Sequence, residues 1–143
     1  MGKLATLTFA TLGILAIAVS GCATGGKGPT PEEAIKAQLE AFKLGMESKD
    51  VTKLDPAISA NFKHYEWGDK AGLIGFLDST MKDGSLDNAE IDLEFVEIAV
   101  EGETATAYPV ELAASFGSAT IKFTFAHEAD GQWRATEVDV QGI

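Results

Sequence analysis

Few side chains in this sequence are suited to chemistry. His64 lies in Phe62-Lys63-His64-Tyr65-Glu66-Trp67, where strand alternation puts Phe62, His64 and Glu66 on one face. If that face lines a pocket, His64 is a candidate general base and Glu66 the carboxylate that orients it. The opposite face carries Lys63, Tyr65 and Trp67, and Tyr65 with Trp67 make an equally good buried set. Glu137 and Asp139 share parity with Trp133, and an apolar site would raise the pKa of either toward that of a working base. Their alternative is a solvated outer face, because acids fill nearly every outward slot from Asp87 on. The catalytic candidates are therefore His64, Glu66 and Asp139. Tyr108 and Phe123 fall on the apolar faces of adjacent strands, as pocket walls beside His64 or as plain core. Glu111 has the other parity from Tyr108 and is expected in solvent. His127 stands far from His64 with no zinc-ligand spacing, and Asp83, Asp87 and Asn88 do not match the calcium-loop pattern. With no phosphate-binding glycine loop and no nucleophile elbow, no metal or other cofactor is expected.

The N-terminus carries a different chemistry. Lys3 precedes Leu4 to Val19, a run without charge, and then Val19-Ser20-Gly21-Cys22. A charged start, an apolar stretch and small residues before a cut mark an export signal. The last four residues resemble the lipobox of bacterial lipoproteins: an aliphatic residue, two small residues and the cysteine that is acylated. The run is shorter than the roughly 20 apolar residues of a membrane span, the alternative reading. The resemblance implies a signal peptide over 1–21, a lipidated Cys22 as the membrane contact, and an extracytoplasmic place in the cell envelope. Ala23 comes after the cysteine, where Asp favours inner-membrane retention in Gram-negative lipoproteins; in such a host the outer membrane, facing the periplasm, is expected. Cys22 is the only cysteine, so the folded part has no disulfide and no thiol nucleophile.

Cleavage there leaves 122 of the 143 residues, the size of one domain. Residues 27–82 hold eight Lys against nine acids, whereas residues 83–143 hold thirteen acids against Lys122 and Arg134. Nucleic acid needs a basic face and is not an expected partner. Residues 22–30 include a glycine-rich tether. Thr30-Pro31-Glu32-Glu33 is a capping box, and Ile35, Leu39, Phe42 and Met46 fall on one helical stripe. Asp50 can cap a short second helix that ends before Asp55-Pro56, and Phe62–Trp67 alternates as a strand. Asp69 can cap a helix with Leu73, Phe76, Leu77 and Met81 as its stripe. Four strands come next, separated by Glu101-Gly102-Glu103, Phe116-Gly117-Ser118 and Asp130-Gly131. A phase change in 90–100 predicts a β-bulge near Phe95-Val96. Helices first and an antiparallel meander after them predict an α+β domain over 31–143.

This order, together with Val100-Glu101-Gly102-Glu103-Thr104-Ala105-Thr106 and Glu128-Ala129-Asp130-Gly131-Gln132-Trp133-Arg134, resembles the nuclear transport factor 2-like (SnoaL-like) superfamily. The resemblance implies a cone: helices held in the concave face of a curved sheet, with an apolar pocket at its open end. These motifs are structural punctuation and point to fold. The functional expectation is a lipid-anchored module that binds a small apolar ligand or a partner protein without chemistry of its own. One alternative is a small isomerase, dehydratase or cyclase using His64 with an acid. Another is a structural component of an envelope complex, homodimeric through the sheet face as the resemblance implies.

Overall fold

The computed structural model describes residues 28–143; Cys22 and the export-signal reading lie outside the described residues. Helix α1 (Pro31–Glu47) begins at the predicted box: Thr30 Oγ1 accepts from the Glu33 amide at 3.2 Å, and the Glu33 carboxylate accepts from the Thr30 amide at 2.9 Å. Its stripe of Ile35, Leu39 and Met46 is buried. Asp50 caps α2 (Val51–Leu54), accepting from the Thr52 amide, and a 3₁₀ turn comes next at Asp55–Ala57.

The aromatic run 62–67 is not one strand. Only Lys63–His64 (β1) is extended, and it pairs with Gly68–Asp69 (β2) across a tight turn. Strict alternation therefore fails: Phe62 is fully buried, Tyr65 is exposed, and His64 and Trp67 are half-buried and stacked on each other. Helix α3 (Lys70–Lys82) starts at Asp69, whose carboxylate accepts from the Gly72 amide at 3.0 Å. A Cβ at Gly72 would stand 1.8 Å from the Trp67 carbonyl oxygen, so glycine is required for the hairpin to lie against this helix.

Strands β3 (Glu90–Asp92) and β4 (Glu97–Glu101) both pair antiparallel with β5 (Thr104–Ala114), which pairs with β6 (Gly117–His127), which pairs with β7 (Trp133–Gln141). The predicted phase change near Phe95-Val96 is a four-residue break, Leu93 to Val96, closed by the Val96 amide on the Leu93 carbonyl. Two further irregularities had no signal in the alternation. The β5–β6 register shifts between Ala107 and Val110, and the β6–β7 register shifts opposite Thr136. Each extra residue reverses the facing of the strand residues beyond it. Ala105 and Ala107 point inward before the first shift, and Val110 and Leu112 after it. Trp133 and Ala135 point inward before the second, and Val138 after it.

Helix α1 lies along the inner face and is fastened at its middle and toward its C-terminal end. Gln38 Nε2 donates to the Trp133 carbonyl at 2.7 Å, Lys43 Nζ donates to the Ile91 carbonyl at 2.7 Å, and the Glu47 carboxylate accepts from the Ile91 amide at 3.0 Å. The 55–61 segment is pinned to the last hairpin through Ser59, the one buried polar residue among those described. Its hydroxyl donates to Glu128 Oε2 at 2.8 Å and accepts from the Asn61 amide, and its amide donates to the Ala135 carbonyl. Arg134 closes the cluster by donating to Glu128 at 2.9 Å and to Asp130 at 3.0 Å. Every described helix and strand, and the core they bury, lies between Pro31 and Gln141, so this unit holds a complete core of its own.

Bonds from Arg134 and Ser59 hold the Glu128 carboxyl below the usual carboxylate range; the Gln132 amide and then Arg134 do the same for Asp130. A carboxyl whose pKa falls on folding binds fewer protons in the folded state. Its stabilisation is full above the unfolded pKa of about 4 and is lost as pH falls through the lower folded value. Urea unfolding at pH near 7 and near 3 will therefore show an acid loss of stability that is smaller in Arg134→Gln, which starts less stable.

Candidate functional site

Helix α1 covers only part of the inner face. Beyond Leu39 its side chains Phe42 and Met46 border a cavity of about 320 Å³, at the lower end of the ~300–1,000 Å³ usual for small-molecule pockets. Ile121, Phe123 and Val138 of the sheet form its floor, with Phe42 edge-on to Phe123 at 4.9 Å between ring centres. Leu73, Leu77 and Thr80 of α3 form its roof, and Ser85, Leu86 and Phe116 form its far wall. Helix α3 lies close to α2 and the small hairpin, whereas α1 is the helix laid against the large sheet, and the gap under α3 is the cavity. The turn carrying Ser85 is tied to the β5–β6 hairpin by the Phe116 amide on the Ser85 carbonyl and the Ser115 amide on the Asp87 carbonyl.

The exposed members of the lining mark the mouth: Phe76 and Phe116 are each 41% exposed and Ile143 is 80% exposed. Trp67, half-buried, stacks on Phe76 at 4.9 Å and completes the rim. The mouth lies at the C-terminal end of α1. The N-terminal end, where Gln38 meets Trp133 and Ile35 and Leu39 are fully buried, is closed.

No ionisable side chain lines this cavity. Apart from the Met46 thioether, its side-chain polar atoms are two hydroxyls and the Trp67 indole N–H. Thr80 Oγ1 donates back to the Phe76 and Leu77 carbonyls at 3.0 Å. The Ser85 amide donates to the Asp83 carboxylate at 2.8 Å, and the Ser85 hydroxyl beside that carboxylate helps to lower its pKa. The Thr80 hydroxyl thus has its partners in its own helix, the Ser85 hydroxyl stands beside the Asp83 carboxylate, and Trp67 sits at the rim.

The sequence candidates fall mostly elsewhere. Phe123 is on the cavity floor. Tyr108 is 43% exposed on the outer face, next to the inward Ala107, and the extra residue after Ala107 separates it from Val110 and Leu112, which turn inward. Glu137 and Asp139 are exposed outside for the corresponding reason at Thr136. His64 borders a separate outer groove with Lys63, Lys122, Glu137 and Asp139. Its Nδ1 accepts the Glu66 backbone amide at 3.1 Å, so the link to Glu66 runs through the main chain, and the exposed carboxylate is not the orienting partner. His127 contacts Glu103 at 2.7 Å, away from both. Among the described residues no group of three or more His, Cys, Asp or Glu is placed to hold a metal. Alternation missed the rim. Its one legible signal is an aromatic beside a turn glycine, as at Phe116-Gly117 and Trp67-Gly68.

Solved structures with this architecture supply the class. A nuclear transport factor 2-like protein of unknown function from Shewanella baltica matches with a TM-score of 0.61 at 18% identity, over 81% of this chain and 100% of its own. A candidate ketosteroid isomerase from Shewanella frigidimarina matches at 0.63 and 15%, over 76% and 94%. A candidate dehydratase of the same fold family from Streptomyces avermitilis matches at 0.63 and 17%, over 80% and 99%. No family model and no curated protein matches the sequence. The chain has the nuclear transport factor 2-like fold, an α+β cone of helices against a curved antiparallel sheet.

Because Glu137 and Asp139 stand outside the cavity, Glu137→Gln and Asp139→Asn will each bind an apolar fluorescent probe within about twofold of the unaltered protein, whereas a chain that used them inside would lose binding by tenfold or more.

Proposed function

We propose that this chain is a lipid-anchored module on the extracytoplasmic side of a bacterial membrane that holds a small apolar ligand and does no chemistry on it. The observation that carries the binding reading is the cavity wall, apolar but for the Thr80 and Ser85 hydroxyls and the Trp67 indole, and without an acidic, histidine or tyrosine side chain. Proton transfer needs a titratable group within hydrogen-bond reach of the substrate, and this wall has none to offer. The isomerase or dehydratase reading would need a histidine or carboxylate turned inward.

The anchor rests on the Val19-Ser20-Gly21-Cys22 sequence and the apolar run before it. Lipid chains on Cys22 would bind stably where one chain alone is marginal. Among the described residues no helix is long and apolar enough to cross a membrane. In this reading residues 23–29 reach at most ~25 Å, and α1, about 26 Å long, separates its own start from the mouth. A tether of that reach, nearly as long as α1, lets the domain turn either end toward the bilayer. The scaffold reading, with a dimer through the outer sheet face, meets a charge problem. Glu97, Glu101, Glu111, Glu137 and Asp139 are all exposed there, and a symmetric pairing sets like charges against each other.

Native mass spectrometry of the protein taken from its host's envelope tests both parts. The expected spectrum is a monomer that carries diacylglyceryl and acyl mass on Cys22 and a retained small molecule. Cys22→Ser removes the lipid mass and the membrane association. An empty domain that runs as a dimer would move the assignment to the scaffold.

A further inference from the structure

We infer that the cavity takes one unsubstituted hydrocarbon tail of an amphiphile, with the polar head left outside the mouth. This rests on the binding reading above and adds the ligand's chemistry and its direction of entry. A buried ligand oxygen needs a hydrogen-bond partner, and without one it weakens binding by tenfold or more. Inside the cavity the Thr80 hydroxyl is engaged with its own helix, the Ser85 hydroxyl stands beside the Asp83 carboxylate, and no charged side chain lines the wall. Polyketides or other ligands with oxygens along their length would therefore enter at a penalty, and a plain hydrocarbon would not.

The mouth has the complementary character. Trp67, Phe76, Phe116 and Ile143 form an apolar collar with water beyond it, and Trp67 is the member of that collar whose side chain also carries a hydrogen-bond donor. Aromatic side chains with one apolar end and one polar end favour such a boundary. The opposite end is shut by Ile35, Leu39 and the Gln38–Trp133 contact, so a chain that enters must stop there.

The test uses residues 23–143, folded as judged by cooperative melting, and a bound naphthalene-type fluorescent probe. Alkyl carboxylates, alkyl trimethylammonium salts and alkyl glucosides, each below its micelle concentration, compete for the probe. Each added methylene should tighten binding about fourfold until the cavity is full, at roughly ten carbons if a methylene takes about the volume of a liquid water. At fixed chain length the three heads should agree within about threefold, and a mid-chain hydroxyl should weaken binding at least tenfold. Ala119→Phe, which fills the cavity from the floor, should abolish binding of the probe itself. Val140→Phe, from the edge strand, gives the same test if the first variant does not fold. Probe binding without displacement by any chain overturns this inference and leaves the binding reading standing. So does affinity that tracks the head and ignores chain length. Failure of the probe itself to bind removes the binding reading and this inference with it.

Discussion

The apolar face of the sheet is longer than the helix that covers it. Strands β5 and β6 have eleven residues each, about 36 Å of extended chain, while the α1 stripe from Ile35 to Met46 covers about 17 Å. At the covered end the interior closes in the usual way, with Ile35, Leu39 and Phe125 almost wholly buried. At the other end the sheet still presents Leu112, Ile121 and Val138, and only α3 is available to face them. That helix is fixed by its Asp69 cap, by the β1–β2 hairpin lying against Gly72, and by its approach to α2. These contacts set it above the sheet and not on it. Protein interiors ordinarily pack without gaps of this size, so the space beneath α3 is a feature of how the elements are mounted.

The register shifts decide what that space contains. An uninterrupted β7 would carry Glu137 and Asp139 on the same side as Trp133 and bring acids to the floor. The extra residue at Thr136 sends them outward and turns Val138 in. The shift at Tyr108-Pro109 does the same for Glu111, which an uninterrupted β5 would carry on the side of Ala105 and Ala107, at a position where a proline without an amide proton is tolerated. Bulges also bend the strands that carry them. Curvature of the cone and removal of proton-transfer groups from its interior thus share one structural cause.

Much of this was legible from residue types. The helices announced themselves through Thr30, Asp50 and Asp69 as caps and through stripes at helical spacing, because capping and amphipathicity are local. The turns between strands were marked by their glycines. Facing was not legible across a bulge, since alternation assumes an unbroken register and one extra residue inverts it. His64 is the clearest case: six alternating residues read as a strand, yet a turn at Tyr65–Trp67 folds the segment on itself and stacks the imidazole on the indole. The rim was hidden for another reason. Trp67, Phe76, Phe116 and Ile143 come from four separate segments, and only the folded chain brings them together.

Methyl-resolved NMR of residues 23–143 during titration with a small hydrocarbon such as cyclohexane reads the central claim, a dry apolar cavity open to ligand, with the least intervening inference. The account predicts saturable shifts at Leu73, Leu77, Leu112, Ile121 and Val138, with Ile35 and Ile91 unmoved. The absence of saturable shifts at those cavity methyls, or shifts confined to residues away from the cavity such as Ile98 and Val100, would contradict it.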